Sequence, residues 1–335
     1  MAHAPCRVDL AGGTLDIWPL YLFHTGAVTV NFAVNVLARC RVSPLPGRRI
    51  HLKSIDARRE EQFRNFDELC HARKFEHPLA AQLVRFFAPD GGLLVETNSE
   101  SPAGAGISGS SALMIASAAA LSRYTGKRLD REGLRQLAQN VEAQLIGVPT
   151  GCQDYYPAIY GGVSAIALEP DGVHRHAIAV SAEEIERRFV LAYTGAPRAS
   201  GINNWQVFKA HINGDKKIHA NFESIARIAR DMHRALENRD WNEVARLLRA
   251  EWKLRKTNAP GISTPLIDRL VAAAMKGGAL AAKVCGAGGG GCVVFLVSPE
   301  RKEEVARTVR ASGGQVLPCR VAQEGLTVNS ARRAN

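Results

Sequence analysis

Ser101-Pro102-Ala103-Gly104-Ala105-Gly106-Ile107-Ser108-Gly109-Ser110-Ser111-Ala112 is a glycine- and serine-rich stretch that runs straight into an apolar segment, residues 112–121. That order reads as a loop opening a helix. The first turn of a helix leaves N–H groups unpaired at the positive end of its dipole, so phosphate is a natural occupant. Glycines let the backbone approach such a ligand, and serine hydroxyls can bond its oxygens or a Mg²⁺ ion. The stretch predicts a polyphosphate site, with a purely structural glycine turn as the plainer alternative.

Two commoner phosphate loops fail on spacing. Gly104 and Gly109 are placed like the glycines of a Walker loop, but Ser110 stands where that loop needs Lys. Gly104-Ala105-Gly106-Ile107-Ser108-Gly109 also spells GxGxxG. A dinucleotide fold, however, puts its first glycine directly after a strand and follows the helix with another strand. Here a polar loop separates the strand expected at 93–97 from Gly104, and residues 129–146 read as a second helix.

Working outward, residues 28–42 are rich in β-branched side chains and partly alternate, which predicts a long strand. Residues 49–54 are its expected partner after the turn Pro44-Leu45-Pro46-Gly47. A helix is expected at 78–87 and a strand at 162–168. Beyond about residue 195 the character changes. Ile218, Phe222, Ile225, Ala229, Met232 and Leu236 recur at helical spacing, and Val244, Leu247, Leu248 and Trp252 continue in a second helix. A helix at 265–275 precedes strands at 281–285 and 292–297. The pattern is α+β in two lobes, with the break near 185–200 and a site between the lobes.

A chain of 335 residues that is 46% hydrophobic fills ordinary cores in two or three domain-sized units. Its seven cysteines are odd in number and scattered, without a C-x-x-C pair, which argues against disulfides and structural zinc and for a reducing cytoplasm. The net charge of +11 invites a nucleic-acid reading. The basic residues are nevertheless dispersed among acids, as in Glu183-Glu184-Ile185-Glu186-Arg187-Arg188, and no nucleic-acid motif is present. Anionic small-molecule substrates account for the charge. No stretch approaches the ~18–20 apolar residues of a membrane span, and the N-terminus has no apolar signal core. The expectation is a cytoplasmic protein with neither nucleic-acid nor membrane partners, and with homodimer formation left open.

Three further segments carry chemistry-bearing residues. They are Ala4-Pro5-Cys6-Arg7-Val8-Asp9-Leu10-Ala11-Gly12-Gly13-Thr14-Leu15-Asp16, then Glu142 to Asp154, then Lys283-Val284-Cys285-Gly286-Ala287-Gly288-Gly289-Gly290-Gly291-Cys292. With the first loop they make the chain resemble the GHMP kinase superfamily. The A-P-x-R-x-x-L-x-G motif is met from Ala4 to Gly12, a variant of P-x-x-x-G-x-x-S-S-A from Pro102 to Ala112, and the late G-A-G-x-G-G-C from Gly286 to Cys292, in the family's order. The resemblance implies an α+β, two-lobed GHMP kinase fold. Residues 1–190 would form an N-terminal lobe with a left-handed βαβ crossover, and residues 191–335 a ferredoxin-like C-terminal lobe.

The resemblance also implies roles. ATP would be held by Pro102, Gly104, Gly106, Ser108, Gly109, Ser110 and Ser111 in the first loop and by Gly286, Gly288 and Gly289 in the second. Asp154 matches the carboxylate that family sugar kinases place near the acceptor hydroxyl; its plainer role is a turn or helix-capping aspartate. Arg7 would keep Asp154 ionised and neutralise charge on the transferred group, unless it is a surface arginine. Glu142, twelve residues before Asp154, would hold Mg²⁺ together with Ser110, or else is a solvated helix residue. Asp16 with Gly12 and Gly13 would bind sugar hydroxyls.

Ala11-Gly12-Gly13-Thr14-Leu15-Asp16 is closer to the heptose-phosphate kinase branch than to galactokinase, which carries Gly-Glu-His-Thr-Asp. Tyr193-Thr194-Gly195-Ala196-Pro197-Arg198-Ala199-Ser200 resembles the heptose and fucose kinase branches, and makes Arg198, with Lys209 nearby, a candidate for a substrate phosphate. The implied activity is ATP- and Mg²⁺-dependent phosphorylation of a hydroxyl, anomeric by analogy, on a monosaccharide or monosaccharide phosphate, with a heptose 7-phosphate-like sugar favoured. A sugar- and ATP-binding regulator without turnover and an ATP-dependent decarboxylase on the same fold are the alternatives.

Overall fold

The computed structural model of the chain describes residues 1–197 and 202–329. It begins with β1 (Ala2–Ala11), β2 (Ala27–Pro44), β3 (Ile50–Ser54), β4 (Arg59–Phe63), α1 (Phe66–His71), α2 (Pro78–Phe87) and β5 (Leu93–Ser99). There follow α3 (Gly109–Thr125), α4 (Arg131–Ile146), α5 (Tyr155–Tyr160), β6 (Val163–Glu169), β7 (Gly172–Ala177) and α6 (Ala182–Arg188). The remainder is β8 (Phe189–Tyr193), α7 (Ile202–Ile212), α8 (Lys216–Glu237), α9 (Trp241–Arg255), α10 (Pro265–Lys276), β9 (Ala279–Val284), β10 (Cys292–Val297), α11 (Lys302–Ala311), β11 (Gln315–Leu317) and β12 (Thr327–Val328).

β2 organises the first sheet. One edge pairs antiparallel with β1, while the other takes β6 along residues 27–32 and β5 along residues 38–44. β3 lies parallel to β5, the crossover passing through β4, α1 and α2. In β1, Cys6, Val8 and Leu10 enter the core. Side chains alternate along a strand, so Arg7 and Asp9 share the opposite face. α3 lies across this sheet and is buried nearly all round, from Ser111 and Ala112 through Met114 to Ser122. A helix without a polar face belongs inside a protein, and its run of Ala116, Ser117, Ala118, Ala119 and Ala120 is small enough for neighbours to approach closely.

The second sheet has the order β11-β8-β10-β9, every neighbour antiparallel. In sequence terms this is βαββαβ with strand order 4-1-3-2, the ferredoxin-like arrangement expected. Both faces are covered: Phe189, Leu191, Val294 and Leu296 join the core shared with the first lobe, and Val190, Val293, Phe295 and Val297 pack with α10 and α11. Phe32 of β2 meets Phe189 of β8 with ring centroids 5.5 Å apart. Such a pair adds about 0.5–1.5 kcal/mol beyond its buried area. α8 buries the periodic set Ile218, Phe222, Ile225, Ala229, Met232 and Leu236. The expected division after residue 190 falls inside β8; sheet membership would set it before Phe189, and would return β12, which pairs with β1, to the first lobe. No helix among the described residues is long and apolar enough to cross a membrane.

Candidate active site

A cavity of about 340 Å³ lies where β1, the 101–109 loop, the start of α5 and the second glycine loop meet. Its wall at the helix end is built by local backbone chemistry. Gly104 and Gly106 have positive φ, and so does Ser108, the residue preceding α3. The Ser108 hydroxyl turns back onto the Ile107 carbonyl at 2.6 Å and gives α3 no side-chain cap. The α3 N-terminus is thus left without the usual serine cap and faces a cavity that Gly109 and Ser110 line.

Glu142 reaches this end from α4. Ser110 Oγ donates to it at 3.0 Å and Ser111 Oγ at 3.2 Å, and the Tyr155 hydroxyl donates as well. Its hydrogen-bond partners are therefore three hydroxyls and no cation. Burial pushes its carboxyl above the ordinary value, with the hydroxyls opposing. A solvated helix glutamate is excluded.

Arg7 and Asp154 stand together. Arg7 is 2% exposed, donates to Asp154 Oδ1 from Nε at 2.9 Å and from a terminal nitrogen at 2.6 Å, and reaches the Gly106 carbonyl at 2.8 Å. Burial works against the arginine's charge, but Asp154 and Asp9 more than offset it. Asp154 occupies the cap position of α5, yet its side chain makes no capping bond. The capping role for Asp154 and the surface role for Arg7 both fail.

Asp16 is buried beside them. The Gln153 backbone N–H donates to Asp16 Oδ2 at 2.9 Å, and Gln153 Nε2 faces Oδ1 at 3.4 Å. Burial, with Asp154 nearby, raises the Asp16 carboxyl to about 6 in spite of the Gln153 bond. Gly151 is forced by this packing, since a Cβ there would lie 2.0 Å from Asp16 Oδ2. Gln153 Oε1 is buried with no hydrogen-bond partner, in a residue that lines the cavity.

A charge cluster that sequence reasoning missed reaches the cavity wall through Asp9 and Arg255. Asp9 accepts the Gly286 N–H at 2.8 Å and ion-pairs with Lys283, which is fully buried. Lys283 also lies 4.0 Å from Glu251, itself paired with Arg255. Arg255 donates to the Gly13 carbonyl at 2.9 Å and to Thr14 Oγ1 at 3.3 Å. Burial alone would raise the Asp9 carboxyl; Lys283, Arg7 and Arg255 instead hold it well below the usual range. The sequence signal was Asp9, an acid two residues from Arg7 in the first motif.

The structure brings together Arg7, Gly13, Asp16, Pro102, Gly104, Gly106, Ser108, Gly109, Ser110, Glu142, Asp154 and Gly286 around one cavity. Other expected site residues sit elsewhere. Gly12 is not in the wall; it has φ +85° and packs under the Val28 carbonyl, where a Cβ would come within 2.1 Å. Ser111 lies behind the wall on Glu142. Gly288 and Gly289 face Ile262: a Cβ on Gly288 would lie 2.5 Å from its carbonyl, and Gly289 N–H donates to it at 2.9 Å. Lys209 is exposed and its ammonium sits 5.4 Å from the Trp205 ring centroid, away from the cavity. Arg198 lies outside the described residues. Cys152 is buried, and burial holds its thiol protonated.

Residues 73–162 match the GHMP kinases N terminal domain and residues 232–315 the GHMP kinases C terminal domain. The chain is 26% identical over 335 residues to the D-glycero-alpha-D-manno-heptose 7-phosphate kinase of Campylobacter jejuni, covering 97% of each chain. It is 30% identical over 256 residues to the mevalonate kinase of Thermococcus onnurineus, covering 74% of this chain and 73% of that one. Among solved structures, a D-glycero-D-manno-heptose 1-phosphate kinase from Bacteroides thetaiotaomicron superposes with a TM-score of 0.75 at 24% identity, covering 98% of this chain and 99% of the other. Galactokinase from Lactococcus lactis, complexed with galactose, gives 0.78 at 18% identity, covering 97% and 94%. At these identities the two structures speak for the fold.

Proposed function

Because the chain belongs to the GHMP kinase superfamily, we propose that it transfers the γ-phosphoryl group of ATP to a hydroxyl of a monosaccharide or monosaccharide phosphate. A heptose 7-phosphate-like sugar is the favoured acceptor and its anomeric hydroxyl the favoured position. The observation that carries the reading is Asp154, fixed through Oδ1 by Arg7 in the same cavity as the α3 N-terminus that Ser108 leaves uncapped.

The loop glycines and the free end of α3 offer N–H groups to the phosphates of ATP. Ser110 and Glu142 are the residues that would hold Mg²⁺. A carboxylate whose only hydrogen-bond partners among the described residues are hydroxyls suits a hard cation that takes few protein oxygens and completes its shell with phosphate and water. Bound there, the ion supplies charge neutralisation on the phosphates. Phosphoryl transfer goes through a loose transition state, so alignment and electrostatics dominate. Asp154 Oδ2, which accepts no bond among the described residues, orients the acceptor hydroxyl and takes its proton late. Arg7 holds that carboxylate in place. Three of its five donors make hydrogen bonds within the protein, and the nitrogen that meets Gly106 also lies 3.5 Å from Asp9 Oδ1, so the second hydrogen of the nitrogen on Asp154 remains for a phosphoryl oxygen.

Support for a polyol acceptor comes from the polar wall of Thr14, Asp16, Gln153 and Asn204. The partnerless Gln153 Oε1 is an acceptor awaiting a hydroxyl, and the Asp16 carboxylate accepts others. The similarity to the Campylobacter heptose 7-phosphate kinase along nearly the whole chain favours that sugar class. The test is ADP release against heptose 7-phosphate, fucose, galactose and mannose, with mevalonate and homoserine as controls, followed by product NMR. Turnover confined to one sugar or sugar phosphate supports the proposal. Turnover of mevalonate alone, or ATP binding without turnover on any acceptor, rejects it.

A further inference from the structure

Away from the cavity, three histidines from three elements converge. His24 follows the 3₁₀ turn Leu20–Phe23, His211 ends α7 and His219 lies in the first turns of α8. His24 and His211 are each 2% exposed. Each of the three offers a nitrogen within 4.8 Å of those of the others. None of them lines the cavity, and the phosphoryl-transfer reading uses none of them.

The hydrogen-bond chemistry of the cluster is unusual. His24 Nδ1 is 3.1 Å from Glu223 Oε2, and a carboxylate can only accept, so Nδ1 carries the proton. That leaves His24 Nε2 as a bare lone pair, and it faces His211 Nε2 at 2.9 Å. His211 must then place its own proton between them, which strips its Nδ1, and that buried nitrogen has no partner. His219 donates from Nε2 to the His211 carbonyl at 3.1 Å, so its Nδ1 is also a lone pair. The three neighbouring neutral imidazoles therefore carry three N–H protons and three lone pairs, and the lone pair of His24 Nε2 is turned towards His211 Nε2.

We propose that His24, His211 and His219 form a binding site for an imidazole-preferring divalent cation such as Zn²⁺, with Glu223 buttressing His24. Two imidazole nitrogens on one ion at ~2.0–2.1 Å stand about 2.9–3.4 Å apart between octahedral and tetrahedral angles, which brackets the His24–His211 separation. A ligating histidine characteristically donates its other N–H to a carboxylate, the relation of His24 to Glu223. An all-nitrogen set selects Zn²⁺, Cu²⁺, Ni²⁺ or Co²⁺ over Mg²⁺ or Ca²⁺, so this site and the Ser110–Glu142 pair call for different ions. The ion would tie the segment following Asp16 to α7, whose Asn204 accepts the Thr14 hydroxyl at 3.1 Å beside the acceptor pocket.

The experiment is equilibrium dialysis of untagged, metal-stripped full-length protein against Zn²⁺ in excess Mg²⁺, with Co²⁺ visible spectra in parallel. One equivalent per chain is expected, together with a higher thermal midpoint and d–d bands of a nitrogen-ligated Co²⁺. His24→Gln and the partly exposed His219→Gln each weaken binding at least ~10-fold, Glu223→Gln weakens it ~10–100-fold, and Glu142→Gln leaves it intact. Failure to retain one equivalent overturns the proposal. So does binding that survives unchanged in folded His219→Gln or disappears in Glu142→Gln.

Discussion

Arg7 gives two hydrogens to a single oxygen of Asp154, at 2.9 and 2.6 Å, and leaves the other oxygen free of partners among the described residues. One end of this pair is a mid-strand residue of β1, the other the residue preceding α5. An asymmetric grip of this kind fixes the carboxylate plane while keeping one oxygen for a substrate proton.

Asp154→Asn keeps an acceptor for both Arg7 bonds and removes the proton acceptor. The expected result is a kcat lower by ~10²–10⁴-fold with nucleotide affinity unchanged. Steady-state kinetics and calorimetric titration with an ATP analogue check it. A kcat within about threefold of wild type would remove Asp154 from the chemistry.

Arg7→Lys preserves charge but not the fork that joins Asp154 to the Gly106 carbonyl. A misplaced carboxylate of this kind lowers kcat by up to ~10²-fold with little change in KM for ATP. Arg7→Ala goes further. It takes one of two cations from buried Asp9, which keeps Lys283, and the cation from partly exposed Asp154, and lowers stability by about 3 kcal/mol, measurable by urea unfolding.

Asp16 predicts a pH signature. Its folded-state value, raised by burial to about 6, exceeds the unfolded carboxylate value near ~3.9. The fold thus favours the protonated form: the stabilisation is complete below the unfolded value and is lost as pH rises through about 6. Asp16→Asn should be more stable than wild type near pH 8, on the order of 2 kcal/mol, and indistinguishable near pH 4. In wild type the kcat/KM for the acceptor should rise as pH passes through about 6, when the carboxylate ionises. Asp16→Asn should flatten that rise. Equal stability of the two proteins at both pH values would show that Asp16 is not strained by its burial.

Lys283 neutralises two buried carboxylates, Asp9 and Glu251. Lys283→Met should cost about 3–5 kcal/mol at neutral pH. In wild type the depressed Asp9 carboxyl contributes stability above the unfolded carboxylate value, lost only as pH falls through its low folded value. Without Lys283, burial is opposed by Arg7 and Arg255 alone, and the Asp9 carboxyl moves up from its wild-type position. The deficit of Lys283→Met should then shrink between neutral pH and about pH 4, which urea midpoints across pH would register. A deficit that is constant with pH would point to lost packing instead.

Much of the secondary structure was legible locally. The β-branched alternation at 28–42 became β2, and the 218–236 periodicity became the buried face of α8. Other elements were not read: β1 alternates apolar Cys6, Val8 and Leu10 with charged Arg7 and Asp9 but is buried on both faces, and β7 and β12 are short exposed edges. The glycine-rich stretch ahead of α3 announced an anion site because φ signs and helix ends are properties of a few consecutive residues. The second glycine loop was read only in part. Gly291 is demanded by Ala105, whose carbonyl would meet a Cβ at 2.6 Å, across a distance in sequence that no local pattern encodes.

The sequence by itself determined the strongly patterned helices and strands and the loop that opens α3, because propensity, periodicity and turn chemistry act between near neighbours. Only the tertiary structure decided which charges are buried. Asp9, Glu251, Arg255 and Lys283 look in sequence like ordinary solvated residues, and Arg7 meets Asp154 across 147 positions. The electrostatics of the site, and with them the chemistry open to the site, depend on desolvation by distant segments and on Coulomb contacts of a few ångströms. Both come into being only when the two lobes pack together.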